Sequence, residues 1–439
     1  MSWEEKEMLR ALELASVDEL FADIPANVRV DGLSLPRGLR EQEVVERVHS
    51  ILRNNRVGRD LPTFLGAGLY DHFVPASVRA IASRSEFYTS YTPYQAELSQ
   101  GILQALFEYQ SMICELTGMD AANTSMYDGS TALGEAALMA ARITGKREIV
   151  LPRAIHWERR QVLENYGRGP GLRVHEVPFD RETGKLDLAA LEASVGPDTA
   201  AVYVENPNFF GVFDDQVNEI REVAPTMLVV GVNPISLAVT RPPGDYGADI
   251  VVGEGQPLGS AVQFGGPLLG IFACREAHIR KMPGRVIGLT RDADGRRAFA
   301  MTMQSREQHI RKEKAMSNIC TNETLLAVAS AAFMAVLGAN GLRRLAQTNV
   351  ERARDLAKRI SAAGFEAPVF RADHFNEFVV RGRMPYERVH AALLRAGVHG
   401  GLSLESHFPE LRHTALFATT ETHRPEDCDR LIAALEAIA

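Results

Sequence analysis

A chain of 439 residues is long enough for two domains with a large core, and 46% hydrophobic and 24% charged residues are typical of a globular protein. The net charge of −8 argues against a nucleic-acid partner held through its phosphates, and no uninterrupted apolar stretch reaches the length of a membrane span. The acidic N-terminus shows no signal or transit peptide. The four cysteines are far apart and match no zinc or redox motif, so we expect reduced thiols in a cytoplasmic protein.

Residues 1–60 are predicted to form a helical arm with little core of its own. A short helix is expected over Glu4–Leu14, and apolar residues at helical spacing over Val44–Leu52 predict a second one. Pro25 and Pro36 break the chain between the two helices. We therefore expect the arm to pack on the rest of the chain or on a partner.

Residues 61–321 are predicted to form a large α/β domain, because helical stretches alternate there with short apolar runs. The runs are β-branched and bounded by Pro, Gly, Asn or Asp, as strands are. The strand candidates are Glu148–Leu151, Leu172–Val177, Ala200–Val204, Met227–Val232, Ile250–Val252 and Leu268–Ala273. Helices are predicted over Thr131–Ile143, Trp157–Tyr166 and Asp187–Val195. Near-continuously apolar strands separated by helices indicate a mostly parallel sheet covered on both faces.

Residues 322–439 are predicted to form a small C-terminal α+β domain. The almost wholly apolar Leu325–Leu337 leads into a long amphipathic helix. Strands are expected over His374–Val380 and Thr414–Thr419, and helices over Pro385–Ala396 and from Pro425 onward.

Three tyrosines recur at every third residue: Tyr88, Tyr91 and Tyr94. Pro93 fixes the backbone beside Tyr94, and a helix is predicted to follow within a few residues. Binding residues are commonly held on loops by such a rigid support, so this stretch is a candidate binding surface. The alternatives are a loop that only caps the core or packs a subunit interface.

Two glycine-containing turns are candidate ligand loops. Asp128–Ala132 precedes a predicted helix, with Ser130 as the expected N-cap, and is either a phosphate cradle or an ordinary cap. Gly253–Gly259 has its third glycine misplaced for a dinucleotide loop and no helix opens after Pro257, so a Rossmann site is not predicted. The histidines show no ligand pair, and no metal site is expected.

Several motifs together resemble one known family, the P-protein of the glycine cleavage system (glycine decarboxylase). They lie in order along the chain: Tyr91–Gln95, Phe107–Gln110, Ser125–Asp128, Glu205–Asn208, Gly247–Ile250 and Ser317–Thr321. The length and motifs are similar to subunit 1 (alpha) of the split, two-chain form of that protein.

The resemblance implies the aspartate-aminotransferase-like fold of pyridoxal 5'-phosphate (PLP) enzymes, fold type I, and an alpha2-beta2 heterotetramer with subunit 2. It implies that the assembled enzyme decarboxylates glycine, releases CO2 and transfers the aminomethyl group to the lipoyl arm of H-protein. Tyr91, Thr92, Tyr94 and Gln95 are then expected to act across the subunit interface, around the bound glycine.

A PLP enzyme needs a lysine to hold the cofactor and an acid to pair with its ring nitrogen. The chain has seven lysines, and none lies between Lys185 and Lys281, where the middle strands are predicted. Asn233 stands where the acid is expected, and a neutral amide cannot compensate a pyridinium charge. Both omissions agree with the family, in which subunit 2 carries the lysine, so no PLP is expected to be bound covalently by this chain.

Three other functions stay open at the level of sequence. The chain could be a non-catalytic scaffold or regulator of subunit 2, or a self-sufficient PLP decarboxylase or aminotransferase. The missing lysine argues against the second. A nicotinamide-dependent activity would be supported only by glycine-containing turns, and these do not match a dinucleotide-binding loop.

Overall fold

In a computed structural model, the chain is described over residues 2–30, 32–56, 58–263, 266–304 and 307–438. It divides into two compact units, Met1–Val57 and Gly58–Ala439. The predicted boundary between residues 321 and 322 lies inside the second unit and stays a prediction.

The first unit contains two α-helices, α1 (Trp3–Ala11) and α2 (Glu41–Leu52). Ser2 accepts a hydrogen bond from the Glu5 N–H, and the Glu5 carboxylate accepts one from the Ser2 N–H, so a capping box starts α1. Among the described residues of this unit only Leu9 is buried. Both predicted helices are confirmed, and the assignment of residues 1–60 as an arm stays a prediction.

The second unit is built on a seven-stranded sheet, whose strands are continuous apolar segments. The strands are β1 (Ala121–Ala122), β2 (Glu148–Pro152), β3 (Arg173–Val177), β4 (Thr199–Glu205), β5 (Met227–Val232), β6 (Ile250–Glu254) and β7 (Gly270–Cys274). Their order in the sheet is β1-β7-β6-β5-β4-β2-β3. Strands β2 to β6 pair in parallel, whereas β7 runs antiparallel to both β6 and β1. All six predicted strands are therefore confirmed.

Helices cover both faces of this sheet, as the sequence predicted. The α-helices of this part of the chain are α3 (Ala76–Ala82), α4 (Ser85–Tyr88), α5 (Gln100–Thr117), α6 (Gly129–Thr144), α7 (Trp157–Arg168), α8 (Leu188–Ser194), α9 (Val217–Val223) and α10 (Gln308–Arg311). Alternate residues of β4 face opposite cores: Val202 packs with the cluster that includes α5, and Tyr203 with the cluster that includes α6. A strand buried on both sides has no polar face, which explains its uniform apolar pattern.

A hairpin that the sequence analysis did not predict follows the sheet. Its strands, β8 (Val286–Arg291) and β9 (Arg297–Thr302), pair antiparallel. Only part of each strand is buried, so their hydrophobic pattern is weak.

The C-terminal part contains an antiparallel sheet in the order β10-β12-β11, flanked by helices. Its elements are α11 (Thr324–Ala362), β10 (Glu377–Arg381), α12 (Tyr386–Arg395), β11 (Leu402–Ser403), β12 (Thr414–Ala418) and α13 (Pro425–Glu436). The strands and helices predicted here are confirmed, except that β11 was missed. Its two residues give too short a pattern to recognise.

Helix α11 is interrupted at Gly338, whose φ of 60° and ψ of 179° are not helical. By length and composition α11 could span a membrane, although no uninterrupted apolar run in the sequence is that long. Half of its most apolar 18-residue window is buried inside the chain. Contacts with α3 and α5 account for that apolar surface.

Replacement of Gly231 by Ala tests the packing of the central strands. A Cβ on Gly231 of β5 would collide with the Tyr203 hydroxyl and crowd the Glu205 side chain. We expect Gly231→Ala to lower the free energy of unfolding by about 1–3 kcal/mol, measured by urea denaturation. Gly101→Ala is the control, because that helical position is open and alanine should be neutral or stabilising there. Equal stability of the two variants would contradict the packing described.

Candidate functional site

The carboxyl ends of three neighbouring parallel strands form a crevice, which is where α/β folds bind ligands. Glu205 ends β4, Asn233 follows β5, and Glu254 ends β6. A cavity of about 40 Å³ lies here, and Arg159 and Glu377 are among the other polar residues that line it. A second cavity of about 370 Å³ shares Arg159 and Glu254 with the first. These two cavities are called the crevice below.

Glu254 links three backbone segments. Its Oε1 accepts hydrogen bonds from the N–H groups of Gln256 and Leu269, both at 2.9 Å, and its Oε2 accepts one from Gly129 at 3.0 Å. Gly129 is the first residue of α6, so the carboxylate lies at the positive end of that helix.

The predicted cap of α6 was wrong. Asp128 is the N-cap, and its carboxylate accepts a hydrogen bond from the Thr131 N–H at 2.8 Å, whereas Ser130 lies inside the first turn. Serine and aspartate are about equally common as N-caps, so only the backbone geometry decides between Asp128 and Ser130. The start of α6 therefore has two carboxylates beside it, not a free phosphate cradle.

Two more buried carboxylates have partners from distant parts of the chain. Arg159 of α7 donates to Glu205 at 2.6 Å, and the Tyr203 hydroxyl donates to the same oxygen at 2.7 Å. Glu377 of β10 accepts from the Tyr70 hydroxyl at 2.6 Å and from the backbone N–H of Ala67.

Burial controls the protonation of this crevice. It raises the pKa of Glu254 and that of Glu377 each to about 7, although their hydrogen bonds and Arg159 oppose the shift. Burial, together with the nearby Arg159 charge, lowers the pKa of His156 to about 4, so that imidazole is neutral at physiological pH. Above pH 7 the crevice contains more carboxylates than cations.

The residues of the crevice do not fit PLP. The cofactor's phosphate needs free N–H groups and positive charge, but Glu254 already occupies the start of α6 and the surrounding carboxylates would repel a dianion. No lysine lies among the described residues that line either cavity. Lys185 pairs with Asp215 at 2.6 Å, and Lys281 is exposed at the end of a 3-10 turn.

The tyrosine loop, residues 88–98, lies elsewhere. Tyr91, Thr92, Tyr94 and Gln95 share the segment between α4 and α5, and none of them lines the crevice. The side chains of Tyr91 and Tyr94 are 73% and 49% exposed, and Gln95 is exposed as well. The Tyr91 hydroxyl lies 3.0 Å from the Thr321 hydroxyl, which brings two of the recognised motifs together.

Sequence reasoning missed Arg285, which supports this loop. Arg285 is only 5% exposed, precedes β8, and donates to the Tyr94 hydroxyl at 3.2 Å and to the Thr92 hydroxyl at 3.4 Å. Arg285 comes directly before β8, a strand that the sequence did not predict, so no sequence pattern pointed to this residue. Arg159, Tyr70 and Glu377 were missed as well, because only the fold brings them together.

No group of three or more His, Cys, Asp or Glu side chains that could hold a metal ion occurs within the described ranges.

The fold is that of the fold type I PLP enzymes. Two solved structures show this likeness at low sequence identity, which supports the fold alone. The sphingosine-1-phosphate lyase of Burkholderia pseudomallei K96243 has a TM-score of 0.66 at 15% identity and covers 93% of this chain and 92% of its own. The glutamate decarboxylase of Lactobacillus brevis has a TM-score of 0.68 at 12% identity, covering 93% and 94%.

The family follows from closer comparisons. The model of the family "Glycine cleavage system P-protein" matches residues 1–435. The "Probable glycine dehydrogenase (decarboxylating) subunit 1" of Pyrococcus abyssi is 50% identical over 99% of this chain and 97% of its own length. The crystal structure of an inhibitor-bound glycine decarboxylase (P-protein) has a TM-score of 0.93 at 40% identity, covering 100% of this chain and 99% of that one. The chain belongs to the P-protein family of the glycine cleavage system.

Replacement of Glu377 by Gln tests the protonation of the crevice. Because the folded-state pKa is raised to about 7, the unfolded chain releases this proton first, and wild-type stability falls as the pH rises from about 4.5 to 7. Glu377→Gln removes that loss. We expect its stability relative to wild type to increase between pH 5 and pH 8 by on the order of 1–3 kcal/mol, measured by urea denaturation. Glu192→Gln, at an exposed position, is the control for the amide substitution itself. A difference between Glu377→Gln and wild type that does not change with pH would contradict the raised pKa.

Proposed function

We propose that this chain is the subunit of a two-chain glycine decarboxylase that does not hold the PLP lysine. The observation that carries the proposal is the full-length match to relatives named glycine dehydrogenase (decarboxylating) subunit 1. Together with subunit 2, the chain takes part in releasing CO2 from glycine and transferring the aminomethyl group to the lipoyl arm of H-protein. We place this activity in the cytoplasm, and the expected assembly is an alpha2-beta2 heterotetramer.

The crevice supports the assignment of PLP to subunit 2. Its carboxylates are satisfied by groups of this chain, and Asn233 lies where a pyridinium partner would be needed. PLP supplies the electron sink for decarboxylation when it is bound in the assembled enzyme. In this proposal the chain's own contribution is the surface that it presents to that site.

The tyrosine loop is the proposed contribution. Tyr91, Thr92, Tyr94 and Gln95 offer hydroxyl and amide groups on a surface that this chain leaves open. Such groups can orient a carboxylate by hydrogen bonds, and the aromatic rings exclude water around it. A scaffold without a catalytic contribution would need this surface only for packing.

Reconstitution tests the proposal as a whole. The chain is co-purified with the candidate subunit 2, and exchange between glycine and labelled bicarbonate is measured with lipoylated H-protein. We expect a stable complex and exchange that depends on both chains. Full exchange by subunit 2 alone would reduce this chain to a regulator or scaffold.

PLP added to the purified chain tests where the cofactor is held. We expect no absorbance from a lysine-linked cofactor, and no pyridoxyl-lysine peptide by mass spectrometry after borohydride reduction. The complex with subunit 2 is the positive control, and its modified peptide should come from subunit 2. A modified lysine of this chain would favour a self-sufficient PLP enzyme instead.

Tyr94→Phe tests the role of the loop. The variant loses one hydroxyl and keeps the ring, so we expect assembly with subunit 2 to be retained. Loss of a hydrogen bond to a charged group should lower kcat/KM for glycine in the exchange assay by about tenfold or more. Tyr88→Phe, at an exposed position of α4, is the matched control. Unchanged exchange for Tyr94→Phe would remove Tyr94 from the proposed catalytic set.

A further inference from the structure

Arg285 lies at the centre of a buried polar network behind the tyrosine loop. Its Nη1 donates to the Asn322 amide oxygen at 3.1 Å, and its Nη2 donates to the Tyr94 hydroxyl at 3.2 Å. Its Nε lies 3.6 Å from the Glu307 carboxylate, so the charge is compensated within the chain. The guanidinium also lies over the Tyr94 ring, 5.6 Å from the centroid.

Asn322 fixes the position of this guanidinium. Its amide nitrogen donates to the hydroxyls of Thr124 at 2.9 Å and Ser125 at 3.0 Å, which leaves its oxygen directed to Arg285. Thr124, Ser125 and Asn322 are all at most 6% exposed. The network therefore runs from the segment after β1 to the exposed loop, through side chains with little freedom to move.

The network determines which way the Tyr94 hydroxyl can act. A phenol has one donor hydrogen and accepts hydrogen bonds at its oxygen. Arg285 occupies the oxygen as a donor, and within the described residues no acceptor for the phenol's hydrogen is found. With respect to those residues, the hydrogen is available to an acceptor outside the chain, and donation by a cation makes the phenol a stronger donor in turn.

We infer that Arg285 is a positioning residue that sets the Tyr94 hydroxyl as a hydrogen-bond donor to the carboxylate of the amino-acid substrate. The inference rests on the proposed function, since the substrate is bound on the partner subunit's cofactor. It assigns the recognition of the carboxylate, as distinct from the amine, to Tyr94 and Arg285 of this chain.

A double-mutant cycle in the reconstituted enzyme tests the inference. Arg285→Lys keeps a positive charge beside Glu307, but one ammonium group cannot reproduce the fork that reaches both Asn322 and Tyr94. We expect Arg285→Lys and Tyr94→Phe each to raise KM for glycine by about tenfold, and the double variant to be no worse than either single variant. Methylamine, which lacks the carboxylate, should inhibit all four enzymes equally.

Arg275→Met is the matched control for a purely structural arginine. Arg275 donates hydrogen bonds to backbone carbonyls, among them that of Ala248 at 3.0 Å, and lies 4.0 Å from the Asp120 carboxylate. Its loss should lower the melting temperature without changing KM for glycine.

Each remaining outcome overturns the inference. An action through Tyr94 on a carboxylate would be excluded by any of three results. KM for glycine could be unchanged in Arg285→Lys, or the effects of the two substitutions could multiply in the double variant. Inhibition by methylamine could also be weakened in the variants as much as glycine binding is. Failure of Arg285→Lys to assemble, when Arg275→Met assembles, would make Arg285 a residue of folding. Failure of the proposed function would be distinguishable, because subunit 2 alone would then catalyse full glycine–bicarbonate exchange without this chain.

Discussion

The structure depends on a carboxylate at the end of a central strand. Glu254 accepts hydrogen bonds from the N–H groups of Gly129, Gln256 and Leu269, so it joins the start of α6 to the turns beside β6 and β7. Removing it would leave three buried donors without a partner, and each such group costs about 1–3 kcal/mol. The position that could attract an anionic ligand in this fold is therefore used to hold the fold together.

Other polar side chains of the crevice likewise bond to groups of this chain and are not left available for a ligand. Arg159 pairs with Glu205, and Glu377 reaches Tyr70 from the C-terminal part of the chain. A buried ion pair adds little net stability, but breaking one is costly because it leaves an unpaired charge. The polar groups of the crevice are thus paired with one another, while exposed hydroxyl and amide groups lie on the tyrosine loop.

The parts of the fold that sequence predicted are those with a long, simple pattern. Strands β4, β5 and β6 are buried on both faces, so nearly every residue in them is apolar and the strands are easy to predict. The hairpin β8–β9 is only partly buried and was missed. Contacts such as Glu377 with Ala67 and Arg285 with Tyr94 join residues far apart in the chain, and no local pattern encodes them. The tyrosine loop drew attention in the sequence because aromatic hydroxyls cluster there locally, and the role of its four residues stays a prediction. The arginine behind them gave no local signal.

The exposed rings of the tyrosine loop have a consequence for the cell. Tyr88, Tyr91 and Leu98 are 70%, 73% and 83% exposed on one short segment. Large apolar groups that are exposed on one short segment promote self-association when no partner covers them. If subunit 2 covers this segment in the proposed complex, a chain made in excess over that partner would be more prone to aggregation and proteolysis. Balanced synthesis of the two is in this view a requirement of solubility, quite apart from any requirement of catalysis.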